Sequence, residues 1–329
     1  MLRLPSLALP PILPTPAAIR SHGDNHHSYE PEFWEFQYEV YRYLGRVAPQ
    51  DLVERYRAII RNMKTLIKSE RHVIPIQSPL SSWYWFRKEH QTRLEFAMRG
   101  VSPPAALPTG LLDRSSRDAP TRPSSPNAGD VLFRYSERNW IEEMVHLGRI
   151  RIGPAAFYRN LELGVARADE ERAKTSFLAG EYVRIISKDG MRVPIVGDVR
   201  RTVSLPNYYM LCLSCEWDPA LFSDFRADAC AVVRDGKRFA ERLQAASKEQ
   251  LDGWYFHHGP VEYFDPYQMS RDQFFDAGMC KDFRFAFERE YRFLWVSLAG
   301  EEADNFKVVK LGPLEDIAEV HAPDAQGPK

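Results

Sequence analysis

The chain has 329 residues, 44% hydrophobic and 27% charged, enough apolar material for one large domain or two smaller ones. Its formal net charge of -1 excludes bulk attraction to nucleic acid or acidic lipid, so any such contact would need a local patch. No run of 18 apolar residues occurs, which excludes a membrane-spanning helix, and the four scattered cysteines Cys212, Cys215, Cys230 and Cys280 point to reduced thiols in a cytosolic protein.

Residues 1–30 read as a disordered arm. Pro5, Pro10, Pro11, Pro14 and Pro16 break any signal-type helix, and His22, His26 and His27 sit in a polar, solvated tract. A helical module is expected over residues 31–100. Phe33, Phe36, Val40 and Leu44 set one stripe, and Leu52, Val53, Tyr56, Ile59, Ile60, Met63, Leu66 and Ile67 set a longer one. A third helix over residues 82–99 is closed by Gly100. Its run Trp83-Tyr84-Trp85-Phe86 is too aromatic for one helix side, so part of it should dock onto a partner or the following domain. Residues 101–129, with Pro103, Pro104, Pro108, Pro120, Pro123 and Pro126, are a linker that cannot offset its ordering entropy by burial.

The second domain, residues 130–323 before a short tail, opens on a strand, Val131-Leu132-Phe133-Arg134-Tyr135. Asn139 as N-cap with Glu142 three residues on predicts a capping box, a stripe of Trp140, Ile141, Met144, Val145 and Leu147 follows, and Gly148 stops the helix before the strand at residues 149–153. Residues 157–174 read as a loop plus a helical turn. Lys188-Asp189-Gly190 marks a hairpin, and residues 208–214 form the clearest central strand. Residues 229–233, 261–264, 280–296, 306–311 and 314–320 supply further strands, with a helix through Phe239 and Leu243. Many strands and few short helices predict an α+β fold with a largely antiparallel sheet.

On a strand at residues 280–296, Glu288, Glu290 and Arg292 share one face, opposite Phe287, Tyr291, Phe293 and Trp295. That face is either solvated or the floor of a polar cleft. The Cys212/Cys215 spacing lacks a second ligand pair for zinc, and His257-His258 has no partner at a telling spacing, so a loop or hydrogen-bonding role is expected for it. Neither a nucleophile elbow nor a glycine-rich phosphate loop is present. Asp169-Glu170-Glu171 reads as a helix first turn or as part of a metal-dependent nuclease site.

Residues from about 130 to 320 resemble a group of uncharacterised bacterial proteins often linked with phage defence. The resemblance rests on Phe133-Arg134-Tyr135, Phe157-Tyr158-Arg159 with the tract to Glu171, Cys212-Leu213-Ser214, Phe287 to Arg292, and Leu311 to Ala318, in that order. That group in turn resembles the ADP-ribosyltransferase fold with its Arg–Ser–Glu arrangement. The resemblance implies NAD as substrate, with Arg134 gripping its phosphates or ribose and Ser214 orienting the site. Glu290 would stabilise the charge that develops as the glycosidic bond breaks, and Glu288 would position or deprotonate the acceptor. Tyr135 or Tyr209 would stack on the nicotinamide, and Arg159, Arg167 and Asp169 would face the substrate. The serine is not followed by the usual Thr-Ser, and Arg292 could neutralise Glu290 instead. The expectation is a cytosolic ADP-ribosyltransferase-like α+β domain behind a helical module. It would modify a macromolecular acceptor as a defence or toxin-type effector, or consume NAD as a glycohydrolase. Rival expectations are a non-catalytic binding module whose helices dock a protein partner, and the nuclease.

Overall fold

The structure, a computed structural model, describes residues 30–66, 78–79, 81–105, 131–159, 171–180, 183–268 and 276–322. The proline-rich arm and most of the linker lie outside these residues, as do Arg167, Asp169 and Glu170. Three helices come first: α1 (Pro31–Tyr41), α2 (Pro49–Leu66) and α3 (Ser82–Met98). The apolar stripe of α1 falls one step from its expected place. Trp34 and Tyr38 are buried, whereas Phe36 and Val40 are exposed. Tyr38 donates to the buried carboxylate of Glu95 on α3, and that bond fixes which side of α1 turns inward.

The sheet is organised around β7 (Tyr209–Ser214), a strand almost continuously buried, as its apolar run demands. Along one edge it pairs antiparallel with β12 (Glu290–Ser297), which pairs in turn with β9 (Trp254–Pro260). Its other edge is divided. β2 (Arg149–Pro154) takes the first half at Gly153↔Met210 and leads to β13 (Lys307–Lys310), while β1 (Leu132–Ser136) takes the end at Phe133↔Ser214. Beyond β1 lie β8 (Ala229–Val233) and β14 (Ala318–His321). The sheet therefore forks at β7.

Helix α4 (Arg138–Leu147) packs in the fork, burying Ile141, Met144 and Val145. The expected capping box does not form. The helix begins two residues earlier, Glu137 occupies the N-cap position, and the Asp228 carboxylate accepts from the Arg138 N–H at 2.6 Å. Gly148 ends it in the left-handed region (φ 60), and a β-carbon there would sit 1.8 Å from the Gly312 carbonyl oxygen. With α6 (Gly236–Lys248), α4 covers one sheet face, against Leu132, Leu211, Leu213, Phe293 and Trp295.

Several elements were not legible. β3 (Ala173–Ala179), which begins where the expected loop ends, pairs with β6 (Asp198–Ser204) as a two-stranded ribbon, and β4 (Ile185–Ile186) and β5 (Arg192–Val193) form the expected hairpin. A short helix, α5 (Ala220–Asp224), follows β7. The strand expected over residues 280–296 is broken in two. β11 (Cys280–Asp282) pairs parallel with β10 (Glu262–Phe264), and a 3-10 helix (Phe283–Glu288) intervenes before β12. Asp282 starts that helix by accepting from the Arg284 N–H at 2.9 Å, Phe283, Phe285 and Phe287 are all buried, and Arg289 at φ 48 turns the chain into β12. Glu288 thus lies off the strand.

The helical module docks here, as its aromatic run suggested. Trp85 stacks on Phe283 with centroids 5.4 Å apart, Asn62 donates to the Arg284 carbonyl oxygen at 2.9 Å, and the Arg61 guanidinium sits over Phe287. Arg55 pairs with both oxygens of Asp265 at 2.8 Å, and Lys88 bonds Asp265 and Gln268. Burial would raise the Asp265 carboxyl, but Arg55 and Lys88 override it and hold the group well below its usual range. Burial pulls Lys88 down to about 7 against the attraction of Asp265.

Candidate functional site

The register dictates which side chains meet. Phe133, Ser214 and Glu290 stand opposite one another on β1, β7 and β12, so they share a sheet face. Cys212 and Arg292 lie on that face two residues along. Arg134, the neighbour of Phe133, points to the other face with Leu132, and its guanidinium donates to the Cys212 carbonyl oxygen at 3.3 Å. The expected Arg–Ser–Glu set therefore does not converge, because one residue of parity separates Arg134 from Phe133.

The tyrosines are not placed for stacking on a nicotinamide either. Tyr135 is buried among Trp217, Phe222 and Phe225 and accepts from the Asp218 N–H at 3.0 Å. Tyr209 is buried on the α6 side and donates to Asp304 at 3.2 Å. Arg159 ends the short 3-10 helix Ala155–Arg159. Ser214 lies 2.8 Å from the Glu288 carbonyl oxygen, to which its hydroxyl donates, so it anchors the chain reversal before β12.

What does converge is a buried cluster of three acids and three bases. The Glu290 and Arg292 side chains are 4% and 0% exposed, so the face is enclosed and not solvated. Arg292 donates to Glu290 Oε1 at 2.8 Å and to the Gly278 carbonyl oxygen at 2.6 Å, and it pairs with Glu171 at 2.9 Å. Lys281 bridges Glu288 Oε2 at 2.8 Å and Glu290 Oε2 at 3.0 Å, with Glu171 at 3.6 Å. Lys174 reaches Glu171 at 3.3 Å. Three carboxylates buried together need cations of equal number, and β3, β11 and β12 each bring one.

The two sequence-predicted carboxylates are pushed apart. Burial raises Glu288 to about 8, opposed by Lys281 and reinforced by Glu290. Burial alone would raise Glu290 as well, but Arg292 and Lys281 hold it well below the ordinary range. Glu288 Oε1 is buried without a hydrogen-bond partner among the described residues. Burial, with Glu290 beside it, pushes the Cys212 thiol well up, and Cys212 and Cys215 pack on opposite sides of the sheet, consistent with small buried hydrophobes.

Sequence reasoning missed Glu171, Lys174 and Lys281 as a unit. The only signal was a lysine, Lys281, between Cys280 and Asp282 in the run that opens the predicted strand. Tyr263 ties the cluster to the surface, accepting from the Glu290 N–H at 2.8 Å. On the far side of Tyr263 and Cys280 lies a cleft of about 500 Å³, also lined by His257, His258, Glu262 and Asp276. His257 and His258 sit on a strand and not a loop, and His258 fills the expected hydrogen-bonding role, its Nδ1 lying 2.8 Å from the Tyr291 hydroxyl.

No protein-family model, curated protein or solved structure matches the chain. Its architecture defines a mixed helix-and-sheet protein with a mostly antiparallel open sheet. Among the described residues no helix is long and apolar enough to cross a membrane.

Proposed function

We propose that the sheet unit is a non-catalytic binding module and that its buried charged cluster is a structural lock. One observation carries this reading: Arg292 and Lys281 occupy both oxygens of Glu290, while Arg134 lies across the sheet. A carboxylate that stabilises a developing cation acts through an uncompensated field, and here two cations already neutralise it. The helices, docked through Trp85 and Arg55, buttress this lock from behind.

A second reading keeps ADP-ribosyl transfer or NAD hydrolysis on an ADP-ribosyltransferase-like framework, for a defence or toxin-type role. The divergent pair Glu288 and Glu290 favours it, because groups pushed apart in this way divide the roles of acid and base. Glu290 would steady the ribosyl cation as the nicotinamide bond breaks, and Glu288, once ionised above about pH 8, would take the acceptor's proton. The nuclease reading draws less support, since Glu171 is held by Arg292 and Lys174.

Labelled NAD incubated with purified protein and cell extract separates these readings. The lock predicts no nicotinamide release and no labelling by wild type or Glu290→Gln, together with a loss of thermal stability in the variant. Turnover by wild type that disappears in Glu290→Gln would end the binding-module reading.

A further inference from the structure

The hydrogen-bond phase of β9 leaves one edge of the sheet open. The Val261 N–H donates to the Glu290 carbonyl oxygen at 2.9 Å, and the register runs Arg292↔Gly259, Leu294↔His257, Val296↔Tyr255. In an antiparallel ladder these alternate residues are the bonded ones, so Gly259, His257 and Tyr255 point their backbone groups at β12. Phe256 and His258 then present N–H and C=O outward, with the carbonyl of Pro260 beside them. Among the described residues β9 pairs with β12 alone. Exposed edges are ordinarily blunted by lysine, glutamate or an early proline, yet Trp254–Pro260 carries no lysine or carboxylate and its proline comes last.

Each face beside this edge has a hollow. On the α6 side is a hollow of about 610 Å³ whose apolar lining is Leu251, Trp254, Phe256, Trp295 and Leu298, with Glu241, Lys248 and Asp252 also lining it. On the other side is the cleft of about 500 Å³, lined by Glu262 and Asp276, which are in no ion pair among the described residues. A strand added to β9 would send alternate side chains into the two hollows.

Building on the binding-module reading, we propose that the partner is an extended peptide that adds to the β9 edge, placing an apolar side chain between α6 and β9 and a lysine or arginine in the Glu262/Asp276 cleft. The two side chains point to opposite faces, so they lie an odd number of residues apart. Pairing with a second copy fits less well, because antiparallel pairing of β9 with itself about a two-fold axis normal to the sheet would put both acidic clefts on the same face.

The probe is a fluorescein-labelled serine/threonine peptide of about ten residues with one leucine and, three positions on, one lysine. Fluorescence anisotropy with the full chain should show saturable binding. Replacing the lysine by glutamate, or N-methylating the backbone amides that face β9, should weaken it roughly tenfold or more. Glu262→Gln with Asp276→Asn should weaken the lysine peptide alone. His258→Pro removes an outward donor while sparing the β12 ladder, and should abolish binding with the far-ultraviolet spectrum unchanged. Equal affinity for the lysine and glutamate peptides, or no binding of either at about 1 mM, overturns the proposal. So does a concentration-dependent dimer lost in His258→Pro, which would give the edge to a second copy. NAD turnover would sink the module reading, whereas an inactive, folded protein that ignores every peptide sinks the edge proposal alone.

Discussion

Replacing Glu288 by glutamine should make the protein more stable in alkaline solution and change how its stability depends on pH. Glu288 is buried, shares Lys281 with Glu290, and has one oxygen with no partner. Its carboxyl is raised in the folded chain to about 8 from 4.5, so between those values the native state binds the proton that the unfolded chain releases. Native stability must then fall as pH rises through that window, at up to about 1.4 kcal/mol per pH unit. The accumulated loss by pH 9 is on the order of 5 kcal/mol. Glutamine keeps the shape and an oxygen for Lys281 but cannot ionise, so the slope should flatten. The assay is urea unfolding of wild type and Glu288→Gln at unit pH steps from 5 to 9. The two should be closest near pH 5 and diverge steadily, with the variant ahead at pH 9. Parallel curves, or a wild type that gains on the variant as pH rises, would mean that Lys281 keeps Glu288 ionised and the reasoning is wrong.

Arg292→Met should cost about 3–5 kcal/mol in urea unfolding, because it strands Glu290 and Glu171 without their shared cation. Lys88, pulled down to about 7, is a cation that the unfolded chain holds more readily, so it contributes stability that rises with pH from about 7 to 10.5. Lys88→Met should remove that rise, and a wild-type profile in the variant would refute the assignment. Trp85→Ala should cost about 3–5 kcal/mol and expose Phe283. Limited proteolysis should then cut within α2 and α3, helices that the docked wild type protects.

The sheet's centre was legible because β7 is an unbroken apolar run, which only a doubly covered strand requires. The unit β1, α4, β2 was legible because its period changes from two to 3.6 and back, with Gly148 marking the join. The 3-10 helix was hidden by Phe283, Phe285 and Phe287, whose alternation imitates a strand. Only the Asp282 cap and the left-handed Arg289 reveal the break. Strand β9 was hidden because two histidines, a glycine and a proline dilute its alternation. At the site, Glu290 and Arg292 were placed correctly on one face, since parity along one strand is local information. The side on which Arg134 falls depends on register between strands, which no local pattern encodes. The meeting of Glu171 with Lys281 was hidden for the same reason, being made across more than 100 positions.

The bidentate Arg55–Asp265 pair, 210 residues apart in sequence, limits how this protein can change. The helices cannot be traded as a cassette, for a replacement lacking that guanidinium would leave a buried anion facing Lys88 alone. Substitutions at the two positions must therefore travel together through evolution. A chimera that exchanges one segment should recover only when the other is exchanged with it.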